Sequence, residues 1–226
     1  MVQQMTVSTT LSDLESRLRL ALAGPLPGAD AQRRLAPTPR PGWRQGRAPD
    51  ELRRAGALLL LFPIGRRVHL LLTVRSSDLP NHAGQVSLPG GAVEAGESIE
   101  EAALREANEE TGVDPASVRL LGRLTPLHIP VSGYVLHPVV GVSDVRPAYR
   151  PAAREVERLA EPALDDLLDP ASVRHESMVW DGVAREVPYF SLDGLVVWGA
   201  TAMVLAEFIA VALARPPSST SRAPAP

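Results

Sequence analysis

Apolar residues form two closely spaced blocks in the first half of the chain. The blocks AGALLLLFP (55–63) and VHLLLTVRS (68–76) are rich in leucine, and only four residues separate them. Apolar blocks of this length with a short connection predict the two strands of a hairpin. Similar blocks at 117–127 and 134–144 predict two further strands.

The segment between these two pairs of strands has the periodicity of a helix. Its small apolar residues recur three or four positions apart and so share one helix face: Ile99, Ala102, Ala103 and Ala107. Ser98 and Glu101 form a capping box, which predicts a helix start near residue 99, and Gly112 predicts its end. Because strands and helices are mixed without regular βαβ alternation, the pattern indicates an α+β fold.

The N-terminal region predicts one short helix followed by irregular chain. Residues 12–23 are amphipathic, and Ser12 with Glu15 three positions later forms another capping box. Residues 24–50 are rich in proline, glycine and arginine without periodicity, which is typical of a linker or a poorly ordered arm.

These patterns divide the chain into three regions. Residues 1–52 comprise the N-terminal helix and the proline- and arginine-rich arm, and residues 53–214 form the folded domain. The composition of residues 215–226 predicts a disordered tail. A domain of this size can bury a full hydrophobic core.

The apolar stretch 194–214 is long enough to span a bilayer. It contains Glu207, however, and a carboxylate at mid-membrane costs about 2.5–3.5 kcal/mol even on lenient scales. Trp198 and Gly199 also mark a break between a short strand and a helix. The preferred interpretation is a core strand followed by a core helix, with a membrane span as the alternative.

The amino-acid composition excludes several classes of function. The chain of 226 residues is 45% hydrophobic and carries a net charge of −3, so nothing indicates binding to nucleic acid or another polyanion. It has no cysteine, which excludes disulfides, thiolate catalysis and cysteine metal sites. All 23 basic residues are arginine, which excludes a P-loop lysine and a Schiff-base lysine. With no signal-peptide pattern at the N-terminus, a cytoplasmic location is expected.

Negative charge is concentrated on the predicted central helix. Residues 90–113 contain seven glutamates and one basic residue, Arg105. Glu106, Glu109 and Glu110 stand at i, i+3 and i+4 and so share a face. Clustered carboxylates with no cysteine nearby suit a hard cation such as Mg²⁺, with Mn²⁺ as a substitute. The alternative is a solvated acidic helix face.

The spacing of this segment resembles the Nudix box, G-x5-E-x7-R-E-U-x-E-E-x-G-U, in which U is a bulky apolar residue. The residues at its fixed letters and final apolar position are Gly91, Glu97, Arg105, Glu106, Glu109, Glu110, Gly112 and Val113. The resemblance implies that residues 53–214 form a Nudix hydrolase domain, with an α/β/α sandwich around a mixed sheet. It also implies Mg²⁺- or Mn²⁺-dependent hydrolysis of a nucleoside diphosphate linked to another moiety.

The resemblance implies a role for each residue of the box. Glu106, Glu109 and Glu110 would bind the metal, and the carbonyl of Gly91 would be a further ligand. Glu97 and Arg105 would hold the glutamates in place. The general base differs among members of the family and is left unassigned. Glu155 is either an additional carboxylate of the site or a surface position on a helix.

Residues 71–91 also resemble the upstream signature of coenzyme A (CoA) pyrophosphatases. The matching residues are Leu71, Leu72, Thr73, Arg75, Ser76, Gly84, Pro89, Gly90 and Gly91. Two positions differ from this signature: Pro80 stands where the signature has an arginine, and Leu88 stands where it has a phenylalanine. The predicted substrate-binding residues are Arg75, His82, Gly90 and Gly91.

The expected substrate is therefore CoA or a CoA thioester. Other nucleoside diphosphate derivatives remain alternatives, namely ADP-ribose, NADH and dinucleotide polyphosphates. A Nudix-fold sensor without catalysis is a third interpretation, although the three box carboxylates are all present. No nucleic-acid or membrane partner is expected, and a homodimer is left open.

Overall fold

The computed structural model describes residues 10–40, 52–77, 84–180 and 182–214. Twelve strands lie in these ranges: β1 (Arg53–Ile64), β2 (Arg67–Leu70), β3 (Leu72–Arg75), β4 (Val86–Ser87), β5 (Gly90–Ala92), β6 (Arg119–Arg123), β7 (Leu127–Ile129), β8 (Tyr134–Val142), β9 (Val156–Ala160), β10 (Val173–Trp180), β11 (Val183–Leu192) and β12 (Leu195–Trp198). The α-helices there are α1 (Leu11–Leu22), α2 (Gly28–Gln32), α3 (Ile99–Thr111), α4 (Leu164–Leu168) and α5 (Gly199–Ala212).

The long strand β1 organises the central mixed sheet. It runs parallel to β8 and antiparallel to β2 and β5, and the sheet continues through β6 and β7, which both pair with β8. Ile64 pairs with Arg67 across the β1–β2 turn, which confirms the predicted hairpin turn. The second strand is shorter than predicted, because the chain leaves this sheet after Leu70 and continues as β3 in another sheet. Two smaller sheets have the orders β4-β3-β9 and β10-β11-β12.

Helices cover both faces of the central sheet. Alternate residues of β1 point to opposite faces, as in any strand. Leu58, Leu60 and Phe62 pack in one cluster with the apolar face of α3. Leu59 and Leu61 belong to a second cluster that includes α1 and α5. The α+β prediction and the α/β/α sandwich are confirmed.

Two predictions for the N-terminal region are wrong. Helix α1 begins at Leu11, and its first turn is capped by Thr10, whose hydroxyl accepts from the N–H of Asp13, rather than by Ser12. Residues 24–40 are not a loose linker, because they include α2 and a β-bridge from Thr38 to Glu186. Residues 41–50 of the predicted linker and the predicted tail 215–226 lie outside the described ranges.

Glu207 explains why this segment is ordered. Its fully buried carboxylate accepts hydrogen bonds from the N–H groups of Gly28 and Thr125, both at 3.2 Å, and from Gln32 Nε2 at 2.8 Å. Buried carboxylates are tolerated when such donors surround them. Because Glu207 lies far along the sequence, the local composition of residues 24–40 gave no sign of this contact.

The apolar stretch near the C-terminus is strand β12 followed by helix α5, as predicted, and Gly199 at the junction has φ of 65°. Helix α5 lies in the core, where Phe208 is fully buried. Across the described ranges, the structure contains no helix with the length and hydrophobicity to cross a bilayer.

Candidate active site

Helix α3 has the ends that the sequence predicts. The hydroxyl of Ser98 accepts from the N–H of Glu101 at 3.2 Å, and the Glu101 carboxylate accepts from the N–H of Ser98 at 2.8 Å. Gly112 ends the helix with φ of 78°, a left-handed conformation that favours glycine. The helix therefore presents its acidic face at a fixed position beside the central sheet.

Strand β5 brings two glycines against this helix. Gly91 pairs with Gly56 of β1, and Gly90 pairs with Ala57. A Cβ atom at Gly91 would lie 2.4–2.6 Å from the carboxylate atoms of Glu106, and one at Gly90 would lie 2.4 Å from the Gly56 carbonyl oxygen. Only glycine permits these approaches, so the Glu106 carboxylate lies directly against the backbone of Gly91.

Glu110 lies next to the same strand. Its side chain is only 6% exposed, and its Oε2 accepts a hydrogen bond from the N–H of Gly90 at 3.2 Å. Burial, reinforced by the charge of Glu106, raises the pKa of Glu110 to about 7. Burial likewise raises the pKa of Glu106. Two carboxylates are thus crowded together in a site that disfavours their negative charge.

Arg105 connects the other carboxylates of the box. Its Nε donates to Glu97 at 2.8 Å, and its Nη1 donates to both Glu106 and Glu109 at 3.0 Å. Its Nη2 donates to the carbonyl of Ala92 on β5 at 2.9 Å. The Arg105 guanidinium, together with the N–H of Glu94, holds the pKa of Glu97 below its usual range. Arg105 and Glu97 therefore hold in place the glutamates that border β5, which we call the glycine strand after Gly90 and Gly91.

Glu109 occupies the edge of this arrangement. Its side chain is 58% exposed, and its carboxylate pairs with Arg105. Among the described residues, no three acidic or histidine side chains form a group arranged to hold a metal ion. Glu106 and Glu110 are therefore brought together at the glycine strand, while Glu109 lies at the rim.

The sheet β4-β3-β9 brings two more charged residues towards this site. Arg75 ends β3 and pairs with Val156 of β9, and the N–H of Ser76 donates to the carbonyl of Glu155 at 2.9 Å. The charge of Glu155 raises the pKa of both Glu106 and Glu110, whereas Arg75 lowers that of Glu110. Glu155 therefore lies within electrostatic reach of the buried carboxylates, and it precedes a strand rather than lying on a helix.

His82 and the departing position Pro80 fall in residues 78–83, outside the described ranges. Arg67, an arginine close to the predicted β1–β2 turn, pairs with Asp165 and Asp166 and is therefore already neutralised. Leu88, the second departing position, is a buried core residue at 6% exposure.

The donor set fits a hard divalent cation. The available groups are carboxylates and a backbone carbonyl, namely those of Glu106, Glu109, Glu110 and Gly91, and Mg²⁺ prefers such oxygen ligands. Burial raises the pKa of both Glu106 and Glu110, so a bound cation would offset the cost of ionising them there. When bound, such an ion neutralises phosphate charge and acidifies water.

Comparison with known proteins identifies the family. Residues 52–186 match the family model described as the NUDIX domain. The chain is a member of the Nudix hydrolase family. Members of this family act on phosphoric anhydrides of small-molecule nucleoside diphosphates and generally use divalent ions such as Mg²⁺.

Several relatives carry the same family name. The chain is 37% identical over 158 residues to the uncharacterized Nudix hydrolase NudL of Citrobacter koseri, covering 69% of this chain and 81% of the relative. It is 33% identical over 195 residues to the chloroplastic Nudix hydrolase 22 of Arabidopsis thaliana, covering 81% of this chain. The match spans only 64% of the plant protein's length. A MutT protein from Methanosarcina mazei aligns at TM-score 0.47 and 19% identity, covering 70% of this chain and 92% of that protein.

Proposed function

We propose that this Nudix hydrolase cleaves the diphosphate of CoA or of CoA thioesters, with Mg²⁺ or Mn²⁺ as cofactor. The products are 3′,5′-ADP and 4′-phosphopantetheine or its acyl derivative. The observation that carries the hydrolytic part is the pair formed by the partly buried Glu106 and the buried Glu110, whose carboxylates are held against the backbone of Gly91 and Gly90. A divalent ion bound there would place its positive charge beside a substrate diphosphate.

In this proposal, some residues of the site bind the metal and others orient the residues that bind it. Glu106, Glu109 and Glu110 hold the metal together with the carbonyl of Gly91. Arg105 orients Glu106 and Glu109 through its two 3.0 Å hydrogen bonds, and Glu97 orients Arg105. Metal-binding carboxylates generally need such supporting contacts to keep their geometry.

Arg75 supports the choice of a phosphate-rich substrate. It belongs to the segment that resembles the CoA pyrophosphatase signature, and its charge reaches Glu110. Its Nε is buried without a hydrogen-bond partner among the described residues. A buried guanidinium donor beside a metal site is suited to bind a substrate phosphate. The backbone of Gly90 and Gly91 and the side chain of His82 are the remaining proposed substrate contacts.

A different nucleoside diphosphate derivative is the second candidate. The departures at Pro80 and Leu88 favour it, because an arginine is a phosphate ligand and proline is not. ADP-ribose, NADH and dinucleotide polyphosphates are the compounds of this class to compare with CoA. The non-catalytic sensor is disfavoured because Glu106, Glu109 and Glu110 are all retained.

A substrate panel tests the proposal. The purified protein is incubated with CoA, acetyl-CoA, ADP-ribose, NADH and a dinucleotide polyphosphate, each with Mg²⁺, with Mn²⁺ and with a chelator. Mass spectrometry identifies the products. Metal-dependent formation of 3′,5′-ADP from CoA supports the proposal. Intact CoA together with cleaved ADP-ribose would exclude CoA as the substrate and favour the alternative.

A further inference from the structure

A cavity of about 660 Å³ lies at the C-terminal end of helix α3. The helix and the turn that follows it form one wall, and the loop after β8 forms the other. The residues that matter for its chemistry are Asn108, Glu109, Gly112, Arg146, Tyr149 and Arg150. Its volume is within the usual range for small-molecule sites. Because Glu109 lines it, the cavity opens directly beside the candidate active site.

Arg150 is fixed at this cavity by its backbone. Its N–H donates to the carbonyl of Thr111, in the last turn of α3, at 2.7 Å. A Cβ at Gly112 would lie 2.6 Å from the nitrogen of Arg150, so only glycine allows the loop to approach the helix this closely. Two residues later, the N–H of Ala152 donates to the carbonyl of Glu110 at 2.9 Å. The loop and the catalytic helix are therefore joined at the position where Arg150 enters the cavity.

The other charges of the cavity are already engaged. Arg146 pairs with Glu161 at 2.6 Å, and Glu109 pairs with Arg105. The Asp114 carboxylate accepts from the N–H of Ala116. Arg150 forms no ion pair with any carboxylate in the part of the chain that the structure describes. Its exposed guanidinium is thus available to an anion that enters beside Glu109.

An aromatic ring adds a surface for a base. Tyr149 is half-buried and packs edge-on against Phe62, with ring centroids 6.4 Å apart. The Arg146 guanidinium lies 5.9 Å from the centre of the Tyr149 ring. Planar guanidinium and aromatic groups stack well on nucleobases. The cavity therefore combines a wall for a base with a cation for a phosphate.

We infer that this cavity binds the 3′-phosphoadenosine half of the substrate and that Arg150 binds its 3′-phosphate. The inference deepens the proposed function, since it assigns the end of CoA that carries a phosphate monoester in addition to the diphosphate. Glu109 at the rim connects the two parts of the site. Its charge is offset by Arg105, so the cavity can accept an anion.

Dephospho-CoA, which lacks only the 3′-phosphate, makes the test specific. The ratio of kcat/KM for CoA to that for dephospho-CoA is measured in wild type, Arg150→Ala, Arg150→Lys and Arg154→Ala. Arg154 is an exposed arginine of the same loop that does not line the cavity, so its variant controls for loss of charge. The alanine variant keeps the backbone N–H that bonds Thr111, and a melting curve checks its folding.

The expected result is a loss of preference for CoA in Arg150→Ala of about 10- to 100-fold, the range for one charge-assisted hydrogen bond. The loss should appear mainly in KM, Arg150→Lys should recover part of it, and Arg154→Ala should keep the wild-type ratio. An unchanged ratio in Arg150→Ala, or an equal loss in both arginine variants, would overturn the inference.

Binding of the product separates this inference from the proposed function. Calorimetry compares 3′,5′-ADP with 5′-AMP in wild type and Arg150→Ala. Preference for 3′,5′-ADP that depends on Arg150 supports the cavity assignment even if wild type leaves CoA intact, in which case only the proposed reaction fails. Equal binding of the two nucleotides by wild type would overturn the cavity assignment even if CoA is cleaved.

Discussion

The carboxylate of Glu110 accepts a hydrogen bond from the backbone N–H of Gly90 at 3.2 Å, across the boundary between the central helix and the glycine strand. This contact holds a buried acid next to the Glu106 carboxylate, which lies against Gly91. Each carboxylate raises the free energy of ionising the other, and burial adds to the cost. A divalent cation bound there would offset this repulsion.

Replacing Glu110 by glutamine should reduce turnover by at least about 100-fold while the fold is kept. Glutamine has nearly the same shape and can still accept from Gly90, but it carries no charge to hold a cation. The measurement is kcat on the best substrate of the panel, with circular dichroism as the check on folding. Glu100→Gln is the matched control, because Glu100 is on the same helix but pairs with Arg123. Wild-type turnover in Glu110→Gln would refute the ligand assignment.

Metal affinity should weaken as pH falls below about 7. Burial raises the pKa of Glu110 to about 7, and a carboxylic acid must lose its proton before it can bind a cation. The Mg²⁺ dissociation constant should therefore rise about tenfold for each pH unit below that value, with proton release on binding. Calorimetry in two buffers of different ionisation enthalpy measures both quantities. A dissociation constant that stays constant from pH 5 to 8 would contradict this.

Without metal, the protein should lose stability as pH rises from about 4.5 to 7. In this range the unfolded Glu110 releases its proton while the folded one keeps it, so the folded state binds more protons and the free energy of unfolding falls. At about 1.4 kcal/mol per pKa unit, the effect is on the order of 3 kcal/mol. Urea unfolding of wild type and Glu110→Gln across this range measures the effect as a difference, because Glu106 and the other carboxylates titrate in both proteins. The stability of wild type relative to the variant should fall by this amount as pH rises. If the free energies of unfolding of the two proteins varied in parallel with pH, burial would not raise the pKa of Glu110.

Gly91→Ala should impair catalysis more than its size suggests. The added Cβ would lie 2.4 Å from the Glu106 carboxylate and would push that carboxylate out of place. The expected loss in kcat/KM is at least about tenfold, since small displacements of catalytic groups are costly. Gly24→Ala is the control, because its Cβ would meet only ordinary contacts, the closest being 3.6 Å. Equal activity of the two variants would show that the close approach at Gly91 is unimportant.

Glu207→Ala should destabilise the fold and release residues 24–40. The substitution leaves the N–H groups of Gly28 and Thr125 and the amide of Gln32 without their acceptor in the interior. Unsatisfied buried donors cost about 1–3 kcal/mol each, so a loss of at least about 2 kcal/mol is expected. Urea unfolding measures the loss, and limited proteolysis locates the release. Glu157→Ala, at an exposed position of β9, should show neither effect.

The sequence predicted those parts of the fold whose signals are local. The capping box of Ser98 and Glu101, the terminating Gly112 and the hairpin between β1 and β2 depend on neighbouring residues, and each appears in the structure. The crowding of Glu106 and Glu110 could also be anticipated, because helical spacing places them on one face. The exposure of Glu109 could not be anticipated, since it depends on the direction in which the hydrogen bond from Arg105 holds the Glu109 carboxylate.

Contacts between segments that are distant in the sequence could not be predicted from it. The docking of residues 24–40 depends on Glu207, which is separated from Gly28 by 179 positions. The position of Arg150 depends on the missing side chain of Gly112, and that of Glu155 depends on the pairing of β3 with β9. No periodicity or composition encodes such relationships, because they arise only when the sheet and its helices are assembled.

Binding of Mn²⁺ to the metal-free protein tests the central claim most directly. Electron paramagnetic resonance counts free Mn²⁺ during a titration of wild type and of the variant with both Glu106→Gln and Glu110→Gln, each with and without a non-hydrolysable diphosphate. Wild type should remove Mn²⁺ from solution, more so with the diphosphate, and the variant should bind at least about 100-fold more weakly. Equal binding by the two proteins would contradict it.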